Sequence, residues 1–345
     1  MEKKQIGIIG AGISGLLACK YMLSKGFNPV VFEVRSGVGG VWTKTIETTK
    51  LQTPKPLYQF SDFPWPSSVT EDFPTQNQVF DYIQSYAQHF DLIKHIRFNT
   101  KVVSIEYEGL SERQIQSWSL WNDNGQPVIV GGKWKVVVEN MENNSELHNN
   151  LPLSFPCFPA RSLGNNAFTT GILVDGGDTE ASTPLNTDLL ILATGYRGDK
   201  KLKDIFVSQT FQDFMAGSPA ETLPLYREII HSRIPQLAVI GFSESVSNLY
   251  TSEMRCRRLA ELLDGTFKLP SIKDMENDMA EWDGYMKRYS GKYYRRSCTG
   301  ALHIWYNDQL CKDMGWNPKR KNGFFAELFK PYGPLDYVPV PSTSN

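Results

Sequence analysis

Gln5-Ile6-Gly7-Ile8-Ile9-Gly10-Ala11-Gly12-Ile13-Ser14-Gly15-Leu16-Leu17-Ala18-Cys19-Lys20-Tyr21-Met22-Leu23 is the stretch on which the fold turns. Its first five residues form a short, mostly apolar run of the kind buried in a parallel sheet. Three glycines follow at once, and residues 16–23 read as a helix stopped near Gly26. A second apolar run, Pro29-Val30-Val31-Phe32, ends on Glu33. Strand, glycine turn, helix, strand and terminal acid in that order make a βαβ unit.

Each position has a physical task. Gly10 permits a tight strand-to-helix turn, Gly12 lets the backbone approach a pyrophosphate, and Gly15 lets helix and strand pack closely. Ala11, Ile13 and Ser14 complete a helix N-terminus whose free N–H groups and positive dipole end suit phosphates. Glu33, at the end of the second strand, is placed to accept both hydroxyls of a ribose. An ordinary glycine-rich turn is the poorer reading, because strand, helix and acid all stand in register. The expected ligand is a dinucleotide. FAD is preferred over NAD because a second glycine turn, Gly37-Val38-Gly39-Gly40-Val41-Trp42, follows directly. A cofactor that continues past the pyrophosphate to a bulky ring system needs that further backbone approach. For Trp42, covering the ring system and packing in the core are equally good readings.

Downstream, residues 51–66 carry Pro54, Pro56, Pro64 and Pro66 and predict a long, aromatic-lined loop. A helix is expected over 78–92, and strands over 96–98, 102–107 and 133–138. Residues 141–167 are rich in Asn, Pro and Ser without a period, which predicts an irregular junction. Strands follow at 171–176, 188–196 and 237–242, the last two ending in glycine turns. Residues 246–263, ending at Gly265, and 272–289 have helical spacing, and an aromatic-rich tail closes the chain.

The 345 residues are 41% hydrophobic and 21% charged with a net charge of −1, so no global field draws the chain to nucleic acid or anionic membrane. The basic run Pro318-Lys319-Arg320-Lys321 is short and reads as a solvated loop. Five scattered cysteines, none in a Cys-x-x-Cys pair, argue against a disulfide framework or a zinc site and suit a reducing compartment. No apolar run reaches the roughly 18 residues of a membrane span, and no signal peptide is legible. A cytosolic protein is expected. Signatures of hydrolases and metalloenzymes are lacking.

With these residues in place, the chain resembles the flavin-containing monooxygenases, the plant branch in particular. The resemblance rests on residues 10–15, Glu33, Gly39-Gly40-Val41-Trp42, Phe60-Ser61-Asp62-Phe63-Pro64, Leu192-Ala193-Thr194-Gly195-Tyr196 and the Asn307-Asp308 region. It implies an α/β, FAD-binding Rossmann-like fold of the glutathione-reductase type, three-layered and discontinuous in sequence. Residues 1–140 would give its first part, 141–170 a junction, and 171–345 its second part with a helical, aromatic tail. It implies that Thr53, Ser61, Val103, Thr194, Gly195 and Gly241 join the glycine turns at FAD. Many members carry an Asn after the Leu-x-Thr that opens the proline-rich loop; here Leu51-Gln52-Thr53 is followed by Pro54.

The family also uses NADPH, held by a second Gly-x-Gly-x-x-Gly in an inserted domain and preceded by Phe-x-Gly-x-x-x-His-x-x-x-Tyr/Phe. Neither signature occurs here, so that domain is expected to be missing. The implied function is oxygenation of soft nitrogen or sulfur nucleophiles of small molecules by an FAD-binding oxidoreductase. The alternatives are an FAD-binding pseudoenzyme or truncated product without NADPH-driven monooxygenase activity, or a flavoprotein reduced by a separate electron donor. No residue is assigned a catalytic role.

Overall fold

The computed structural model describes residues 4–46, 48–109, 111–117, 132–141, 174–175, 186–193, 203–215, 223–291, 297–300 and 302–338. In chain order these give β1 (Gln5–Ile9), α1 (Ile13–Ser24), β2 (Asn28–Phe32), α2 (Gln76–His89), β3 (Ile96–Arg97), β4 (Thr100–Glu108) and α3 (Glu112–Ser117). Then come β5 (Lys133–Asn140), β6 (Val174–Asp175), β7 (Asn186–Thr187), β8 (Leu189–Leu192), α4 (Gln209–Met215), β9 (Leu225–Tyr226), β10 (Ile230–His231) and β11 (Leu237–Val239). The last part holds β12 (Glu244–Ser245), α5 (Asn248–Asp264), α6 (Ile272–Ser290), β13 (Cys298–Gly300), α7 (His303–Asp313) and α8 (Phe324–Phe329).

The central sheet is parallel, in the order β11-β8-β1-β2-β3. Gly7 of β1 faces Val30 of β2 on one side and Leu190 of β8 on the other. Strands from both sides of residues 141–170 therefore build one sheet. Successive connections leave β1 toward β2 and β3, while the later strands β8 and β11 lie on its other side. That reversal makes a topological switch point at the C-terminal ends of β1 and β8, where open α/β sheets bind ligands.

The strands are buried on both faces, and alternate residues feed two separate cores. Ile6, Ile8, Val31, Leu189, Ile191 and Ala238 pack with α1, α2 and α5. Phe32, Leu190, Leu192, Leu237 and Val239 instead meet Ile105, Trp134, Val136, Phe206 and Phe211. Those last residues belong to α4, its flanking turn and a second sheet in which β4 pairs antiparallel with β5. Helices, parallel sheet and a smaller mixed sheet, in which β6 pairs parallel and β7 antiparallel with β5, form the three layers.

Local sequence sets the helix limits. Thr75 and Gln78 form a capping box, so α2 starts two residues before the expected 78 and ends at His89. Gly265, at φ 83°, closes α5 in the left-handed region. The proline-rich loop is ordered by packing: Phe60 stacks on Tyr86 with ring centroids 3.6 Å apart, and Trp65 on Tyr82 at 4.0 Å. The strand expected at 171–176 is described at Val174–Asp175, and that at 188–196 as far as Ala193. Apart from Met141, residues 141–170 lie outside the described residues. Among the described residues, no helix is long and apolar enough to cross a membrane, and no group of three His, Cys, Asp or Glu could hold a metal.

Candidate functional site

The glycine turn after β1 lies at the switch point. Gly10, at φ 101°, donates its N–H to the Phe32 carbonyl at 2.8 Å and turns the chain toward α1. Gly15 is packed against that turn: a Cβ there would lie 1.8 Å from the Gly10 carbonyl oxygen and 3.6 Å from the Ala193 Cβ. The first turn of the helix is thereby pressed onto the ends of β1 and β8. No side chain caps α1, and no acidic residue stands in its first turn. Its N-terminal dipole is thus left for a ligand.

The second glycine turn is stitched to the first. Gly39 donates its N–H to the Ala11 carbonyl at 3.1 Å. Gly12 and Gly40 meet backbone to backbone, and a Cβ on Gly40 would stand 3.0 Å from the Gly12 Cα. Two positions without side chains therefore face each other at the mouth of the turn, where a Cβ would fill the cradle. Arg35 holds the arrangement from outside, donating to the Gly40 carbonyl at 2.6 Å and to the Thr43 hydroxyl.

Glu33 is buried beside these turns. Its Oε2 accepts the Ala11 N–H at 2.7 Å and its Oε1 accepts the Arg35 N–H at 3.0 Å. Each carboxylate oxygen retains a lone pair, so acceptance of ribose hydroxyls is compatible with both bonds. From the second half of the chain, Gly241 at φ 86° closes on the turn: a Cβ there would lie 2.4 Å from the Ser14 Oγ. Residues 10–15, Glu33, Gly39, Gly40 and Gly241 thus converge.

Other expected positions fare differently. Val41 is exposed at the rim, whereas Trp42 is half-buried and its Nε1 donates to the Tyr58 hydroxyl at 3.1 Å. Trp42 packs into the wall made by the proline-rich loop. The Thr53 hydroxyl donates to the Val246 carbonyl at 3.1 Å, tying that loop to the segment after Gly241. Val103 is exposed on β4. Thr194 and Gly195 lie outside the described residues. Ser61 is buried away from solvent, with its N–H and hydroxyl donating to the Glu253 carboxylate at 3.0 and 2.7 Å. Its hydroxyl also accepts from Arg257 at 2.5 Å.

That cluster explains a buried charge pair. Glu253 and Arg257, both on α5, are 3.0 Å apart, and Tyr21 of α1 donates to Glu253 at 2.5 Å. Despite desolvation, the Arg257 charge and the donors of Tyr21 and Ser61 hold the Glu253 carboxyl below its ordinary value. The cluster joins the proline-rich loop, α1 and α5 behind the site. Burial pushes the Cys19 thiol up to about 12 and the Cys311 thiol up to about 11, so neither is a thiolate near neutrality.

Sequence reasoning missed three contributors: Arg35 on the Gly40 carbonyl, Gln76 donating to the Trp42 carbonyl, and Phe80, whose ring lies where a Gly39 Cβ would come within 2.7 Å. Arg35 alone left a local signal, two residues beyond the acid.

Parallel sheet, switch point and paired glycine turns place the chain in the Rossmann-like α/β fold class. Residues 3–122 match the family described as flavin-binding monooxygenase-like. The probable flavin-containing monooxygenase 1 of Arabidopsis thaliana is 27% identical over 516 aligned positions, covering 98% of this chain and 96% of the relative. The putative flavin-containing monooxygenase 2 of the same plant is 27% identical over 460 positions, covering 91% and 98%. The structure of S-allyl-L-cysteine S-oxygenase from Allium sativum shares the fold, with a TM-score of 0.57 at 14% identity, covering 91% of this chain and 89% of that one. Over residues 3–122 the chain thus matches the flavin-binding monooxygenase-like family, and it is similar to plant flavin-containing monooxygenases along nearly its whole length. Because 516 positions are aligned to a chain of 345 residues, about a third of them hold no residue of this protein.

Proposed function

We propose that this chain binds FAD at the paired glycine turns and, with it, serves as a monooxygenase for soft nitrogen or sulfur nucleophiles of small molecules. The observation that carries the reading is the backbone meeting of Gly12 and Gly40 over the uncapped start of α1. Those residues fit a pyrophosphate: the first turn of α1 would bind it, and Glu33 would orient the adjoining ribose. Gly241 and Ser14 would shape the continuation of the cleft, and Val41 would line its rim. Bound FAD would supply the redox chemistry by which electrons reach O₂.

A second reading is an FAD-binding pseudoenzyme without NADPH-driven turnover. It is favoured by the aligned third of the Arabidopsis relative that has no counterpart here, and by the lack of a second glycine fingerprint in the sequence. Without a nicotinamide platform, hydride delivery loses positioning that is worth about 7 kcal/mol or more for well-oriented reactants. A separate electron donor would restore reduction without that domain.

One set of spectra tests these readings. Purified protein supplemented with FAD should show bound-flavin absorbance; its absence defeats all of them. Anaerobic bleaching by NADPH, followed by oxygenation of a thioether or tertiary amine in air, supports the monooxygenase. Bleaching by a photoreductant but not by NADPH or NADH, with oxygenation afterwards, supports the separate donor. Photoreduction that yields only hydrogen peroxide supports the pseudoenzyme.

A further inference from the structure

The short helix α8, Phe324-Phe325-Ala326-Glu327-Leu328-Phe329, is amphipathic in the inverted sense. Its polar residue faces inward: the Glu327 carboxylate accepts the Tyr332 hydroxyl at 2.7 Å and the Lys321 N–H at 3.1 Å. Its large apolar residues face outward. Phe324, Phe325 and Phe329 are 73%, 76% and 77% exposed, and Leu328 is 58% exposed. Spacings of four residues pair Phe324 with Leu328 and Phe325 with Phe329, which puts all four on one side. Leu335, 66% exposed, adds to the apolar surface of the same region.

This presentation is held in place. Lys321 pairs with Asp336 at 2.7 Å, Asp336 accepts the Gly333 N–H at 2.8 Å, and Arg320 lies over the Trp316 and Tyr337 rings. Half of the basic run that sequence reading assigned to a solvated loop is therefore built into the base of the helix. Monomeric proteins rarely expose so contiguous an apolar patch without a partner.

Shape and charge select the occupant. Aromatic side chains three-quarters exposed project as knobs rather than lining a groove, which suits insertion into a soft phase better than docking on a rigid surface. Of the carboxylates of this region, Glu327 is turned inward and hydrogen-bonded, Asp336 is paired with Lys321, and Asp308 is half-buried. Lys319 and Lys330, which flank the helix, are exposed and join no ion pair among the described residues. A second copy would gather both pairs of lysines at one interface, and the carboxylates of this region are already engaged or half-buried. An anionic lipid surface satisfies both features, taking the apolar knobs below its headgroups and the two ammonium groups among its phosphates.

We propose that α8 and its flanking lysines form a peripheral docking site for anionic membranes. Attachment through one short helix is weak and reversible, so it is strongly sensitive to salt.

The test is co-sedimentation of the full-length chain with vesicles of phosphatidylcholine alone or with about 30% phosphatidylserine. The mixed vesicles should retain the protein, and about 0.5 M salt should release most of it. The double variant Phe325→Ser/Phe329→Ser should reduce the bound fraction at least about fivefold, with melting temperature and FAD binding unchanged, because these side chains lie outside both cores. Lys319→Glu/Lys330→Glu should abolish the preference for phosphatidylserine. Failure of the wild-type chain to bind either vesicle overturns the proposal. So does a wild-type dimer, seen by light scattering, that the phenylalanine variant converts to monomer, since a second copy would then cover the helix. FAD binding is read separately, so its loss bears on the proposed function and not on this one.

Discussion

Gly15 stands so close to Gly10 that a single added methyl group would lie 1.8 Å from the Gly10 carbonyl oxygen. The obstacle is backbone, not the yielding end of a side chain, so α1 would have to leave the turn. Gly15→Ala should lose bound flavin and about 1–3 kcal/mol of stability, the range for overpacking a close contact. Gly37 has nothing within 4 Å of an added Cβ, and Gly37→Ala should leave both within error. Flavin absorbance after reconstitution and thermal melts check the pair. Equal behaviour of the two variants would detach the turn from the cofactor.

Glu33 offers a second handle, because its two oxygens have different partners. Glu33→Gln keeps one acceptor but can place an amide donor against the N–H of Ala11 or Arg35. The lost hydrogen bond to a charged acceptor should cost about 1.5–3 kcal/mol. If Glu33 orients the ribose as proposed, the variant would also lose charge-assisted bonds to it, and FAD affinity should fall at least about tenfold. Titration of the apoprotein followed by flavin fluorescence measures this, and an unchanged dissociation constant would remove Glu33 from the site.

What the sequence made legible is what its neighbours determine. β1, the glycine turn, α1, β2 and Glu33 lie within thirty residues, and their spacing is itself the geometry. Gly241 was legible for the same reason, as a glycine directly after a buried strand. The fate of Ser61 was not, because its partner Glu253 is 192 residues away and nothing near Ser61 announces a buried carboxylate. The hairpin joining β9 and β10 was equally silent. Its turn residues Arg227 and Glu228 have φ of 51° and 54°, a conformation normally signalled by Asn-Gly. Here Arg227 is instead held by Asp278 at 2.9 Å and Asp313 at 3.1 Å. Helix α8 escaped notice because its apolar residues face outward, where no core periodicity marks them.

The Ser61 cluster separates a structural role from cofactor binding. Ser61→Ala removes the hydroxyl but keeps the N–H bond to Glu253, and should cost about 1 kcal/mol while FAD affinity stays within about twofold. Glu253→Ala leaves Arg257 buried and unpaired, which should cost about 3–5 kcal/mol. Denaturant melts of the two variants, run beside flavin titration, test the ordering. A Ser61→Ala chain of normal stability that fails to hold FAD would assign this residue to the cofactor site.

His231 predicts how stability responds to acid. It is buried, its Nδ1 accepts the Arg233 N–H at 3.1 Å, and its ring stacks on Phe214 with centroids 5.6 Å apart. Burial lowers its pKa from an ordinary 6.5 to about 4. Between those values the unfolded chain binds a proton that the folded chain does not, so stability rises with pH across the window. The contribution is fully present above 6.5 and is lost as pH falls toward 4, amounting to at most about 3 kcal/mol. Asp308 opposes it: burial pushes its carboxyl from 3.8 up to about 6, so stability falls as pH rises through that interval. The wild-type curve sums these effects with those of other shifted groups such as Glu253 and His303, and only a difference isolates the histidine. His231→Gln cannot titrate, so its stability should fall less than that of the wild type between pH 6.5 and 4, whatever its offset at neutrality. Melting temperatures of both chains at several pH values supply that difference. Parallel curves would mean that water reaches the ring and that His231 titrates alike in the folded and unfolded chains.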